Sequence, residues 1–304
     1  MSKDITNLAS SVRQRLLNLS RESEQDFQRL LIRYGLERLL YRLSSSQYSE
    51  KFILKGAMLF YVWKPDVFRP TKDMDLLGIG EPSLELIRDI FKEICLVDGK
   101  DGLIFNPEKV MTSPIRELHD HNGVRVKLLA NLEQAKIPLQ VDIGYGDIVY
   151  PSPEKKDFPI LLVGPPSPSV LMYPVETLIS EKFEAMVSRG EANSRVKDIY
   201  DIYTVSNLFS FRGSELIEAI DKTFNFRKTT VTTMTPGCLT PAYYNFKQRT
   251  TWWANFIRRN ELSDASMNLS VIGDHVIRFM LPPYLALAGN SGFKRNWTPG
   301  GPWK

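Results

Sequence analysis

Residues 52–80 constrain the fold more than any other stretch of this chain. Phe52-Ile53-Leu54-Lys55 is followed by Gly56-Ala57, a short apolar run, a loop, and then Thr71-Lys72-Asp73-Met74-Asp75-Leu76. Met74, Leu76 and Leu77 read as a buried strand, and Asp73 and Asp75 interrupt it two residues apart. Side chains alternate along a strand, so both carboxylates share one face. Solvated Asp-x-Asp pairs are common on protein surfaces, but here the flanks are apolar. Two acids in such a place cost stability unless something neutralises them. Mg²⁺ suits the position, because it takes hard oxygen ligands and is held by one or two carboxylates together with substrate phosphates. Gly56-Ala57 marks a turn where backbone N–H groups can approach phosphate with no side chain in the way.

Composition narrows the class without deciding it. The 304 residues allow one large or two small domains with a packed core. Hydrophobic content of 43% and charged content of 24% are those of a soluble globular protein. A net charge of +4 is compatible with a polyanionic partner. Cys95 and Cys238 are too few and too far apart for a disulfide scaffold or a thiolate metal site, as expected in a reducing cytoplasm. The N-terminus carries no apolar signal core, and no run reaches the ~18 apolar residues of a membrane span, so no membrane role is expected. His119 and His121 form a loop pair, either exposed or metal-binding.

Taken in order, residues 1–22 form a basic helix or arm. Residues 25–46 are helical with two apolar stripes, which implies burial on more than one side. Pro82-Ser83 opens a helix with Ile87, Ile90, Phe91 and Ile94 on one face. Residues 103–131 read as strands. In Val124-Arg125-Val126-Lys127-Leu128 the two basic residues oppose the apolar ones, as phosphate contacts or as an exposed sheet face. Ile137 to Gly144 alternates again, with Ile137, Leu139, Val141 and Ile143 on one face and Asp142 on the other. Residues 150–174 are rich in Pro without periodicity and read as a domain boundary.

Helical patterns follow. A helix opens at Pro174-Val175-Glu176-Thr177, carries Lys182 and runs to Gly190. The next begins within Asn193-Ser194-Arg195-Val196-Lys197-Asp198, with Asp198 and Asp201 sharing a face. Residues 214–224 form another helix, 227–241 a Thr-rich loop, and 261–281 a last helix. Residues 243–259 interleave aromatics with Lys247, Arg249, Arg258 and Arg259. This is either a nucleic-acid surface or an amphipathic helix with Trp253, Phe256 and Ile257 in the core. The tail from Ala288 is docked through Trp297 and Trp303, or disordered.

Three phrases together, Leu54-Lys55-Gly56-Ala57, Arg69-Pro70-Thr71-Lys72-Asp73-Met74-Asp75, and Glu176-Thr177 to Glu181-Lys182 with Arg195-Val196-Lys197-Asp198-Ile199-Tyr200-Asp201, resemble the AbiEii/AbiGii abortive-infection toxins. These are small relatives of the polymerase-beta nucleotidyltransferases, and the likeness runs over roughly residues 25–300. It implies an α/β (α+β) fold: a nucleotidyltransferase-like mixed sheet with flanking helices over 1–150, and a mainly helical domain over 151–304 that completes a cleft.

By the same resemblance Asp142 joins Asp73 and Asp75 around Mg²⁺ or Mn²⁺, and Lys55, Gly56, Ala57, Thr71 and Lys182 bind NTP. Lys182 with Asp198 or Asp201 would complete the active site, unless these residues form only an interhelical salt bridge. Many relatives have Gly-Gly or Gly-Ser at positions 56–57, and Ala57 cannot lend a hydroxyl to phosphate. The implied reaction moves a nucleoside monophosphate from NTP to an RNA hydroxyl, in particular the 3′ end of tRNA. A cognate antitoxin is implied too. Arg125, Lys127, Lys247, Arg249, Arg258 and Arg259 are the expected RNA contacts. A small-molecule or protein hydroxyl is the alternative acceptor. A non-catalytic nucleotide- or RNA-binding module is a further alternative, though it would have no need of three mutually repelling carboxylates.

Overall fold

The alternation at residues 73–78 becomes the middle of a mixed sheet in the computed structural model, which describes residues 2–64, 70–116, 122–262 and 268–304. His119, His121 and Arg69 of the sequence reading lie outside the described residues. The chain divides into two units, Met1–Gly146 with Pro153–Tyr173, and Asp147–Ser152 with Pro174–Lys304.

The first unit is built on eight strands: β1 (Phe52–Lys55), β2 (Asp73–Gly78), β3 (Ile104–Phe105), β4 (Met111–Arg116), β5 (Asn122–Leu132), β6 (Ala135–Tyr145), β7 (Glu154–Asp157) and β8 (Ser169–Met172). Their order is β3-β5-β6-β2-β1-β8-β7, with β4 also paired to β5. β2 runs parallel to β6 and antiparallel to β1, and β5 and β6 form an antiparallel hairpin. Helices α1 (Ser2–Ser23), α2 (Phe27–Ser44), the short α3 (Leu59–Trp63) and α4 (Leu84–Leu96) complete the unit. Asp26 caps α2 by accepting from the Arg29 N–H, and Ser83 caps α4 by accepting from Leu86.

The two apolar stripes of α2 are both used, since it packs on β6 and also on α1 and α4. Its charged residues Glu37, Arg38 and Arg42 are buried as well, each with a partner. Arg42 forks onto Asp101 at 2.6 and 3.0 Å. Glu37 accepts from the Leu161 N–H at 2.7 Å, and Arg38 donates to the Pro166 carbonyl at 2.9 Å.

Those last two bonds bear on the Pro-rich stretch. The chain does not cross once at residue 150. Residues 147–152 belong with the second unit, 153–173 return to the first, and Pro174 leaves it again. Residues 150–174 therefore hold two strands of the sheet rather than a linker. No periodicity announces β7 because all four of its residues, Glu154-Lys155-Lys156-Asp157, are exposed on the sheet edge. A charged edge strand resists pairing with other chains.

The second unit is helical: α5 (Val175–Arg189), α6 (Val196–Leu208), α7 (Gly213–Phe226), α8 (Pro241–Asn245), α9 (Lys247–Arg259) and α10 (Leu269–Ala288). A minimal pair of strands, β9 (Phe211–Arg212) and β10 (Asn296–Trp297), joins the tail to the start of α7. The expected last helix starts later than 261 and continues through Pro282 and Pro283 to Ala288. Burial of Phe279, Met280 and Tyr284 on either side holds it through the prolines. The tail is docked: Trp297 donates to the Ser206 carbonyl at 2.7 Å, Trp303 donates to the Phe279 carbonyl at 2.8 Å, and both indoles are buried. Beside them His275 lies 2.8 Å from the Ser206 hydroxyl, and burial pushes its pKa down to about 4.

Candidate active site

Strand register builds the first half of the site. Asp75 lies opposite Asp142 on β6 and opposite Lys55 on β1, and Asp142 lies opposite Arg125 on β5. One residue pair further along, Asp73 faces Gln140, and Gln140 faces Lys127. These two rows share one sheet face, because residues opposite or two apart point the same way. Leu54, Met74, Val126 and Val141 occupy the other face and are buried.

The structure brings Asp73, Asp75 and Asp142 together. One carboxylate oxygen from each lies within 4.8 Å of the others, and all three residues are partly buried. An all-carboxylate donor set of this size fits a hard divalent cation such as Mg²⁺ or Mn²⁺.

Each carboxylate has its own support. The Thr71 hydroxyl donates to Asp73 Oδ1 at 2.6 Å, so this residue orients a carboxylate of the trio. Arg125 forks onto Asp142, Nε to Oδ1 at 2.8 Å and Nη2 to Oδ2 at 2.7 Å, and Gln140 adds a bond to Oδ2 at 3.3 Å. The Arg125 pKa is raised by that hydrogen bonding and, against partial desolvation, by the charges of Asp142, Asp73 and Asp75. Asp75 is packed against Gly56, which takes φ +71° at the end of β1. A Cβ there would sit 2.8 Å from Asp75 Cβ and closer still to Oδ2, so only glycine fits. Ala57 follows it, buried in the turn, and the Lys55 ammonium lies 5.4 Å from the centre of the Tyr173 ring.

The second unit holds the other expected set. Lys182 on α5 donates to Asp201 at 2.6 Å and to Asp198 at 3.3 Å, both on α6. The two carboxylates are fully buried and the lysine nearly so. The interhelical salt bridge weighed from the sequence is thus present, and it takes both aspartates. Arg195 pairs with Asp198 at 2.7 Å. Burial works to raise the Asp198 pKa, but Lys182 and then Arg195 outweigh it and hold the carboxyl below its ordinary value.

One expected RNA contact is corrected. Arg249 is buried, donates to the carbonyls of Tyr243 (2.6 Å) and Glu191 (2.9 Å), and stacks on the Tyr243 ring, so it is a packing residue. Arg125 is engaged by Asp142. Lys127, Lys247, Arg258 and Arg259 are exposed. Sequence reading passed over Arg195 and Gln140 as site residues. Arg195 stands three before Asp198 and Gln140 two before Asp142, the spacings that put each beside its aspartate.

A family model described as the nucleotidyl transferase AbiEii toxin of type IV toxin–antitoxin systems matches residues 38–267. The chain belongs to this family. Membership makes it a nucleotidyltransferase of the toxin class, with an NTP substrate and an antitoxin counterpart. No curated protein matches the chain. Among solved structures, a Helicobacter pylori protein described as a candidate nucleotidyltransferase aligns with TM-score 0.51 and 13% identity, over 88% of this chain and 100% of that one. JHP933 from Helicobacter pylori aligns with TM-score 0.49 and 12% identity, over 87% and 94%. At 13% identity the first likeness concerns the fold, which is the nucleotidyltransferase-like mixed sheet with a helical C-terminal part. Among the described residues no helix is long and apolar enough to cross a membrane.

Proposed function

We propose that the chain transfers a nucleoside monophosphate from NTP to an RNA hydroxyl, at the 3′ end of tRNA, and requires a divalent cation held by Asp73, Asp75 and Asp142. The convergence of these three carboxylates from β2 and β6 carries the reading. Bound there, Mg²⁺ would screen the triphosphate and make the acceptor hydroxyl more acidic. In the transfer, the acceptor oxygen bonds to the α-phosphorus, the bond to the β-phosphate breaks, and pyrophosphate leaves.

The chain's own groups have distinct parts. Asp142 Oδ2 accepts from both Arg125 and Gln140 and Oδ1 from Arg125, which leaves a position on Oδ1 to face the cation. Gly56 keeps the turn before Asp75 bare of a side chain, which suits backbone contact with phosphate. Lys182 donates to Asp198 and Asp201, which fixes its ammonium between α5 and α6. The exposed Lys127, Lys247, Arg258 and Arg259 supply positive charge for a polyanionic acceptor.

Incubation with NTP, Mg²⁺ and purified tRNA, read on a sequencing gel, tests this. The expected product is tRNA lengthened at its 3′ end. Label appearing only on protein or on a small molecule would replace the RNA acceptor with one of those.

A further inference from the structure

Arg125 is the one cation seen to grip a member of the carboxylate trio directly among the contacts described above. A carboxylate offers about four lone-pair positions to donors or metals. The guanidinium fork fills two on Asp142, and Gln140 fills a third on Oδ2. Asp142 therefore cannot rotate without losing a bidentate charge-assisted pair, and it keeps one acceptor position, on Oδ1. The clamp is not sealed away from solvent: the Arg125 side chain is 37% exposed and that of Asp142 18%. Nη1 of Arg125 takes no part in the fork.

The charge matters as much as the geometry. Three carboxylates within 4.8 Å repel one another, and Arg125 stands against the outer one of the row Arg125, Asp142, Asp75, Lys55. A divalent ion arriving alone meets a centre already partly neutralised, and it competes with the guanidinium for Asp142. An ion arriving with a triphosphate brings oxygens of its own and needs less from the protein.

We propose that Arg125 is a positioning residue that clamps Asp142 in the ligating posture and, by its charge, keeps the trio from loading divalent ions tightly without nucleotide. The inference rests on the metal-dependent reading above. It separates two roles of one side chain: charge sets resting ion affinity, and the fork sets the orientation on which turnover depends.

The test measures Mn²⁺ alone by titration calorimetry or electron paramagnetic resonance, beside turnover with saturating NTP and tRNA, in the full chain. Arg125→Gln should bind Mn²⁺ about three- to tenfold more tightly than the wild type, because a neighbouring positive charge is gone. Its turnover should fall about tenfold or more, because Asp142 is no longer held. Arg125→Lys keeps the charge without the fork. Its Mn²⁺ affinity should stay within about twofold of the wild type while its turnover still falls.

A purely structural role would lower affinity and turnover together, in step with the melting temperature. Unchanged or weaker Mn²⁺ binding in Arg125→Gln overturns the proposal, and so does full turnover in Arg125→Lys. Should Arg125→Gln fail to fold, Arg125→Lys decides on its own. If the wild type itself shows no Mn²⁺ binding that Asp75→Asn abolishes, the metal reading has failed and the Arg125 proposal falls with it. Binding that depends on Asp75 but is indifferent to Arg125 sinks only the latter.

Discussion

Each unit carries a cluster of acids and bases, and the two are built on opposite terms. On the sheet, Asp73, Asp75 and Asp142 are partly exposed, and Arg125 grips Asp142 from the side. On the helices, Asp198 and Asp201 are fully buried and matched by Lys182 and Arg195. The difference follows from solvation. A charge taken out of water must be neutralised nearby, so a buried cluster is balanced by its own residues. A cluster open to solvent tolerates a surplus, and a surplus of carboxylate oxygens can receive a cation from outside. The helical set is closed onto itself, while the sheet set is arranged to be completed.

Removing a charge should therefore have opposite consequences in the two places. Asp75→Ala should abolish transfer, by about a thousandfold or more, since the lost ligand acts on the charge of the transition state. The melting temperature of the ion-free protein should hold or rise slightly, because like-charge repulsion is relieved. Lys182→Ala should instead destabilise the second unit by about 3–5 kcal/mol, the cost of leaving buried charges unpaired. Denaturant unfolding distinguishes them. Equal melting of the Lys182 variant and the wild type would refute the contrast.

Acid should separate the units too. His275 is held neutral by burial, with a folded pKa of about 4 against an ordinary 6.5. Between those values the unfolded chain binds a proton that the folded one refuses, so stability falls as pH drops through that window. The loss approaches about 3 kcal/mol. Glu37 in the first unit works in the other direction, since burial raises its pKa from 4.5 to about 7 despite Arg38. Its contribution is present below pH 4.5 and is lost as pH rises toward 7. Hydrogen exchange at pH 5 and pH 7 should show weaker protection of α10 at the lower pH, with no parallel weakening of α2. His275→Gln should flatten the acid response of α10.

Smaller effects sharpen the picture. Gly56→Ala places a Cβ against Asp75 at a positive φ, so it should cost about 1–2 kcal/mol and reduce transfer as Asp75 is displaced. Lys127→Ala should change stability by less than about 0.5 kcal/mol. Its expected mark is a higher KM for tRNA, weakening further with salt, and an unchanged KM for NTP.

Much of this was legible in the sequence, and for identifiable reasons. Alternation in 73–78 and 137–144 gave two strands with their acids on one face, and strand geometry then needed only the parallel register to join them. Asp198 and Asp201 read as one helix face, and Lys182 does meet both. What escaped was partner choice. Arg249 sits in a basic, aromatic run, yet its guanidinium is buried on backbone carbonyls, and no periodicity separates such an arginine from exposed Lys247 or Arg258. Arg125 alternates as a surface residue should, and only cross-strand register reveals Asp142 opposite it. The strands of 153–173 were hidden because β7 is exposed on both faces and prolines surround it.

The central claim is that the sheet carboxylates run a nucleotidyl transfer. The most direct test compares NTP labelled at the α-phosphate with NTP labelled at the γ-phosphate, incubated with tRNA and Mg²⁺, for the wild type and for Asp75→Asn matched in melting temperature. The α label should enter the tRNA and the γ label should leave in pyrophosphate, with both events absent in Asp75→Asn and in EDTA. Transfer of the α label at full rate by Asp75→Asn, or entry of the γ label into the acceptor, would contradict it.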